Sequence, residues 1–168
     1  MTALARITVG VVVERSKAES AWIDFIWRPV AVLPGAPDTE AWTVMKEDTD
    51  ATTFYAGHAD LLLHPSETSN YRDNLSTGEP KLWVVLRPTG AEPPFDVIRV
   101  TADGSEGEAF TSAGDDIVDQ VPMPEAIRQT IDAFIAEHHI EHVFHKRERK
   151  RADPDALGRR GRVGGDKE

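Results

Sequence analysis

Short apolar runs separated by turn residues dominate the first two-thirds of the chain, which predicts strands joined by hairpin-sized loops. Residues 7–13 are rich in β-branched side chains, and Gly10 among them suggests a bulge. Residues 22–27 fit a turn of helix or a strand, whereas residues 30–33 predict a strand stopped by Pro34 and Gly35. Residues 42–47 and 52–56 flank Asp48, Thr49 and Asp50 as a hairpin would, and Gly57 then kinks the chain toward Leu61, Leu62 and Leu63. Residues 82–86 are apolar throughout between Lys81 and Arg87, the pattern of a central strand. Residues 95–101 and 117–121 predict two more strands.

Helical signals are fewer. Residues 66–75 predict a helix with Ser66 as N-cap and Tyr71 and Leu75 inward at i,i+4 spacing. Ser105 and Glu108 form a capping-box pattern, with Gly114 placed to end that short helix. A longer helix follows Pro122 and Pro124, with Ile127, Ile131, Phe134 and Ile135 as one apolar stripe facing a sheet. Parallel crossovers need a dozen or more residues each, and these loops are too short for them. The expected fold is therefore α+β, a curled antiparallel sheet or partly open barrel packed by the C-terminal helix.

Charge divides the chain. Residues 1–143 carry 10 basic and 24 acidic side chains, whereas residues 144–168 carry 9 basic and 5 acidic ones and four glycines. A polar, Gly-containing segment buries too little surface to offset its ordering entropy. This predicts one domain over residues 1–145 and a flexible basic tail over 146–168. The chain has no cysteine, which excludes disulfides, thiolate zinc, iron–sulfur ligation and a cysteine nucleophile. The early apolar run is closed by Arg6 and Glu14, is too short to span a membrane and precedes no cleavage pattern. A cytoplasmic protein without a membrane span is expected.

Catalytic motifs are sparse. Neither a phosphate-binding glycine pattern nor G-x-S-x-G occurs, and the serines read as caps and turns. His138, His142 and His145 are spaced i, i+4, i+7, so a helix reaching that far would align three imidazoles that could share a metal. They would lie on the apolar stripe, and Val143-Phe144 could end the helix first, so no metal or other cofactor is expected. Lys146, Arg147, Arg149, Lys150 and Arg151, with Arg159, Arg160 and Arg162, make a basic arm. An acidic body and the lack of interleaved aromatics argue against nucleic acid and for a solvated tail or one docking on an acidic protein. Asp103, Glu106, Glu108, Asp115, Asp116 and Asp119 cluster without EF-hand spacing.

The segment containing Glu14, Arg15, Trp22, Asp24, Trp27 and Arg28 remains. Trp and Arg are enriched at interface hot spots, so these six residues are candidates for a partner surface, the other reading being that both indoles are core.

The same segment carries a resemblance. The run from Gly10 to Arg15, then Trp22, Asp24 and the stretch from Trp27 to Gly35, is similar to a bacterial family of uncharacterised small proteins. The stretch from Tyr71 to Leu75, Val121 to Pro124, and the pair His138-His139 resemble it too, the match running from Gly10 to about Asp153. Members of that family are typically encoded among molybdenum-dependent formate dehydrogenase genes, and some are labelled molybdopterin-guanine dinucleotide biosynthesis protein A. The gene context implies an accessory protein binding a formate dehydrogenase subunit or a maturation factor. The label implies a guanylyltransferase, for which this chain lacks the Gly-rich nucleotide loop. The resemblance brings no residue roles with it. The reading is of a non-catalytic binding protein, the alternative an enzyme or carrier handling the molybdopterin cofactor.

Overall fold

The computed structural model describes residues 4–112 and 114–139. Among the described residues, seven strands and three α-helices follow one another as β1 (Ala5–Lys17), β2 (Phe25–Leu33), β3 (Thr43–Glu47), β4 (Ala51–Leu63), α1 (Thr68–Ser76), β5 (Lys81–Pro88), β6 (Phe95–Thr101), α2 (Gly104–Ala109), β7 (Ile117–Pro122) and α3 (Glu125–His138). All pairings are antiparallel: short loops require this of β1–β2, β3–β4 and β5–β6, and β1–β4 and β5–β7 pair in the same sense across intervening elements. The strands do not form one curled sheet or a barrel. They form two sheets, one of four strands in the order β2-β1-β4-β3 and one of three in the order β6-β5-β7.

The break between the sheets falls at α1, which interrupts the run of hairpins after β4 and starts the second sheet afresh. Asn74 fixes that junction. Its side-chain NH2 donates to the carbonyls of Lys81 (2.7 Å) and Ala102 (3.1 Å), and its side-chain oxygen accepts from the Lys81 N–H at 2.9 Å. One buried amide thus ties α1 to the start of β5 and the end of β6. The core lies between Val9, Val11, Val13, Leu61 and Leu63 of the larger sheet and Leu82, Val84, Leu86, Val100 and Val121 of the smaller. Ile127, Ile131, Phe134 and Ile135 of α3 are buried in the same cluster, and the Phe134 ring meets Tyr71 of α1 edge-on at 6.3 Å. Val84 is fully buried at the centre of the smaller sheet, while its neighbour Trp83 is only half-buried.

Several local expectations are corrected. Gly10 is not a bulge, since the register of β1 slips at Val11–Val12 against β4 and at Val12–Val13 against β2. Glycine stands at position 10 because an added Cβ would fall 2.9 Å from the Tyr55 ring. Gly57 does kink β4, at φ +117°. Residues 22–27 divide, with strand beginning only at Phe25 and running through Pro29, which β2 tolerates as an edge strand with a bulge beside it. A 3-10 turn over Pro65–Glu67 displaces the start of α1 to Thr68, so Ser66 is not its cap. At α2, Asp103 is the cap, its carboxylate accepting from the Ser105 and Glu106 N–H groups, and the Ser105/Glu108 box does not form. None of the helices among the described residues is long and apolar enough to cross a membrane. Residues 140–168, including the basic arm, lie outside the described residues.

Candidate functional site

At the hairpin end of the larger sheet, strand register places Arg15 at the centre of an aromatic group. Arg15 pairs with Trp27 on β2 and Thr52 on β4, and Lys17 pairs with Phe25. Val13 pairs with Phe54, and Phe54 with Val44 of β3. Side chains of paired strand residues share a face and alternate residues return to it, so Phe25, Trp27, Arg15, Phe54 and Val44 project from the face that buries Val13. Toward the domain centre this face is covered, with Trp27 packed on Trp42 at 6.0 Å, on Phe54 at 5.8 Å and on Phe95 of β6 at 5.5 Å. Toward the hairpins it is open, with Phe25 39% and Val44 49% exposed.

The Arg15 guanidinium lies 4.6 Å from the centre of the Phe25 ring, 5.6 Å from Trp27 and 5.2 Å from Phe54. Its Nε is sealed from solvent without a hydrogen-bond acceptor. Ring faces attract the cation but offer its N–H groups no lone pairs. Trp42 abuts the cluster with φ +69°, a left-handed backbone conformation unusual for a bulky residue, and its N–H donates to the Tyr55 carbonyl. Strain of this kind persists only where surrounding packing enforces it.

The six sequence candidates divide around this centre. Trp22 is 93% exposed in the β1–β2 loop, and Ile23 and Ile26 beside it are 56% and 51% exposed. Trp27 is half-buried in the aromatic cluster, so the reading that both indoles are core does not hold for Trp22. Glu14 and Arg28 face one another on the opposite face of the sheet, the Arg28 Nε and Nη2 donating to one Glu14 oxygen at 3.3 and 3.2 Å. Asp24 is exposed, and its backbone carbonyl accepts from Ala18 at 3.2 Å to close the loop. Phe25, Trp42, Val44, Met45 and Phe54 escaped the sequence reading. The hairpin around Asp48-Thr49-Asp50 was the signal that could have placed Phe54 beside β1.

A second feature is a groove of about 560 Å³ lined by residues of α1, β5, α2 and β7, including Asp73, Glu79, Lys81, Trp83, Glu108 and Gln120. Gly104 and Gly107 of α2 lie directly on the Trp83 ring, and the indole Nε1 is buried without an acceptor. In the acidic cluster, Asp103 is spent on capping α2 and accepting from Asn70, Glu106 on Arg99, and Asp116 on Arg87.

α3 stops at His138, whose ring lies 4.5 Å from Phe134, and His139 is extended at φ −71°, ψ 108°. The helical spacing therefore does not carry on from His138, and His142 and His145 lie outside the described residues. His139 instead bonds α1, its Nδ1 3.0 Å from Thr68 Oγ1 and its Nε2 3.2 Å from an Arg72 guanidinium nitrogen. Since Arg72 can only donate, Nε2 accepts and Nδ1 carries the proton to Thr68. No group of three or more metal-ligating side chains occurs among the described residues.

No curated protein and no solved structure matches the chain. Residues 8–149 match the model of a family described as Protein of unknown function (DUF3305), a span that takes in the aromatic sheet end, the Trp83 groove and all three helices. The chain belongs to the DUF3305 family.

Proposed function

We propose that this protein is a non-catalytic accessory protein that binds a formate dehydrogenase subunit, or a factor that matures it, in the cytoplasm. The supporting observation is the open sheet end, where Phe25 and Val44 are exposed on the Arg15 face and Trp22 and Ile23 are exposed in the adjoining β1–β2 loop. Exposed apolar residues scattered singly are ordinary, but exposed aromatic and branched side chains at the same sheet end as an unpaired arginine have the composition of an interface core. The formate dehydrogenase partner rests on the resemblance carried by Gly10 to Arg15, Trp22, Asp24 and Trp27 to Gly35.

The Trp83 groove favours a second reading, cofactor handling, because its volume suits a pterin. Asp73, Glu79 and Glu108 outnumber Lys81 there, and carboxylates repel the phosphates of a dinucleotide. The binding reading is therefore preferred. Trp22→Ala tests it. At 93% exposure this side chain contributes little to stability, and the melting curve should be unchanged within about 0.5 kcal/mol. Capture of formate dehydrogenase subunits by tagged protein in the native host should fall by the ~2 kcal/mol of a lost hot spot, about 30-fold. Undiminished capture, or capture of no formate dehydrogenase component by the wild type, refutes the proposal.

A further inference from the structure

We propose that Arg15 is a carboxylate-recognition site, and that the segment docking on this sheet end presents an aspartate or glutamate side chain flanked by apolar residues. This deepens the partner-binding reading and rests on it. The guanidinium is held against three rings with its Nε sealed and unpartnered, and Arg15 forms no ion pair among the described residues. Two other cations near this end differ in that respect, while Lys17, exposed beside Phe25, has no ring-held guanidinium fork. Arg28 is paired with Glu14 and Lys46 with Asp48. Glu47 shares the Arg15 face but stands two strands away, roughly 10 Å by strand spacing, and makes no ion pair with it.

A guanidinium so placed presents a planar fork to incoming oxygens, while the rings beneath it fix its orientation in advance. The exposed Phe25 and Val44 flank that fork, so the acid's neighbours must be apolar to cover them. An internal side-chain carboxylate fits better than a chain terminus. Terminal carboxylates are typically cradled by backbone N–H groups, and here the central strand β1 spends its amides on ladders in the plane of the sheet.

The test is selection of random displayed peptides with blocked termini on the full-length chain. Enriched sequences should carry an Asp or Glu between apolar residues. A synthetic peptide from the enriched set should lose tenfold or more in affinity when its acid is changed to the amide, and a similar amount on the Arg15→Lys protein. The Lys variant keeps the charge and loses the fork. Should it fail to fold, the wild-type Arg15 Nε–H resonance gives an independent readout, shifting with the acidic peptide and not with its amide. Enrichment without an acid, no enrichment, dependence on a free C-terminus, or a still Nε–H signal overturns the inference. If Trp22→Ala abolishes formate dehydrogenase capture and Arg15→Lys leaves it unchanged, the partner reading stands and this inference fails. If acidic peptides bind through Arg15 and no formate dehydrogenase component is captured, only the identity of the partner is wrong.

Discussion

Replacing Gly107 by alanine tests whether α2 lies on the Trp83 indole and so walls the groove. An alanine Cβ at 107 would stand 2.5 Å from Trp83 Cβ and 2.6 Å from Cδ1, and would also meet Cγ. Ordinary carbon contacts are ~3.5–4.0 Å, so the overlap is roughly 1 Å. No rotamer of Trp83 relieves it, because one colliding atom is the indole's own Cβ, fixed by the backbone of β5. α2 must therefore lift, against the Asp103 cap and the Arg99–Glu106 pair at 3.0 Å that hold it down. Overpacking of this kind costs ~1–3 kcal/mol, and the helical preference for alanine over glycine returns ~0.5–1 kcal/mol. A net loss of about 1–2 kcal/mol should lower the thermal midpoint by roughly 3–8 °C in a domain of this size. Urea unfolding followed by circular dichroism measures the loss, and tryptophan emission reports whether the indole has opened to water. At Gly104 the nearest atoms are the far edge of the same ring at 3.0 Å, which can swing, so Gly104→Ala should cost less. Gly35 has nothing within 4 Å of an added Cβ, and Gly35→Ala serves as the control. If Gly107→Ala is as stable as wild type, or Gly104→Ala is the worse of the two, α2 does not rest on Trp83 as described.

Two further predictions concern pH. Burial pushes the Tyr71 phenol up to about 12, although the His64 N–H donated to its oxygen at 2.9 Å partly opposes this. A raised phenol stabilises the fold fully below the unfolded value near ~10 and loses that contribution as pH rises toward 12, about 2–3 kcal/mol in all. Urea unfolding between pH 9 and 12 should show this slope, and Tyr71→Phe should flatten it. An unchanged slope would place the alkaline sensitivity elsewhere. The Arg87 guanidinium, bonded through two nitrogens at 3.0 and 2.9 Å, holds the Asp116 carboxyl below the usual carboxylate range. A depressed acid contributes stability above its unfolded pKa and loses it as pH falls. The thermal-midpoint advantage of wild type over Asp116→Asn should therefore be full at neutral pH and shrink from about pH 4 downward. An advantage that does not depend on pH would contradict it.

The strands were legible because each hairpin announces itself locally. A β-branched or apolar run meets a turn of a few polar residues, and antiparallel pairing follows from the length of the connection. The division into two sheets was not legible, since the junction between them is tied by Asn74 to Lys81 and Ala102, seven and 28 residues away. No pattern of apolar positions reports where a single amide will find its acceptors. Helix starts shifted for a related reason. Ser66 and Ser105 have the right chemistry for caps, but Pro65 begins a 3-10 turn, and Asp103 accepts from the Ser105 and Glu106 amides and so starts α2 one residue before Ser105.

The candidate site shows the same boundary between local and non-local information. Trp22, Trp27 and Arg15 could be picked as candidates from residue type, but their separate surroundings could not be read. A tryptophan at position 22 and one at 27 are alike in sequence. They differ only because the β1–β2 hairpin leaves the first in its loop and sets the second beside Arg15, opposite a ring from β6. Arg28 has the same side chain as Arg15 and stands directly after Trp27. Strand alternation puts it on the other face, where Glu14 neutralises it. Arg15 is thus set among rings and away from Glu14 by parity along β1 and β2, together with the arrival of Phe54 from β4, 39 residues downstream. A partner carboxylate would complete at Arg15 what Glu14 already completes at Arg28, with the difference that its apolar neighbours would also cover the open rings.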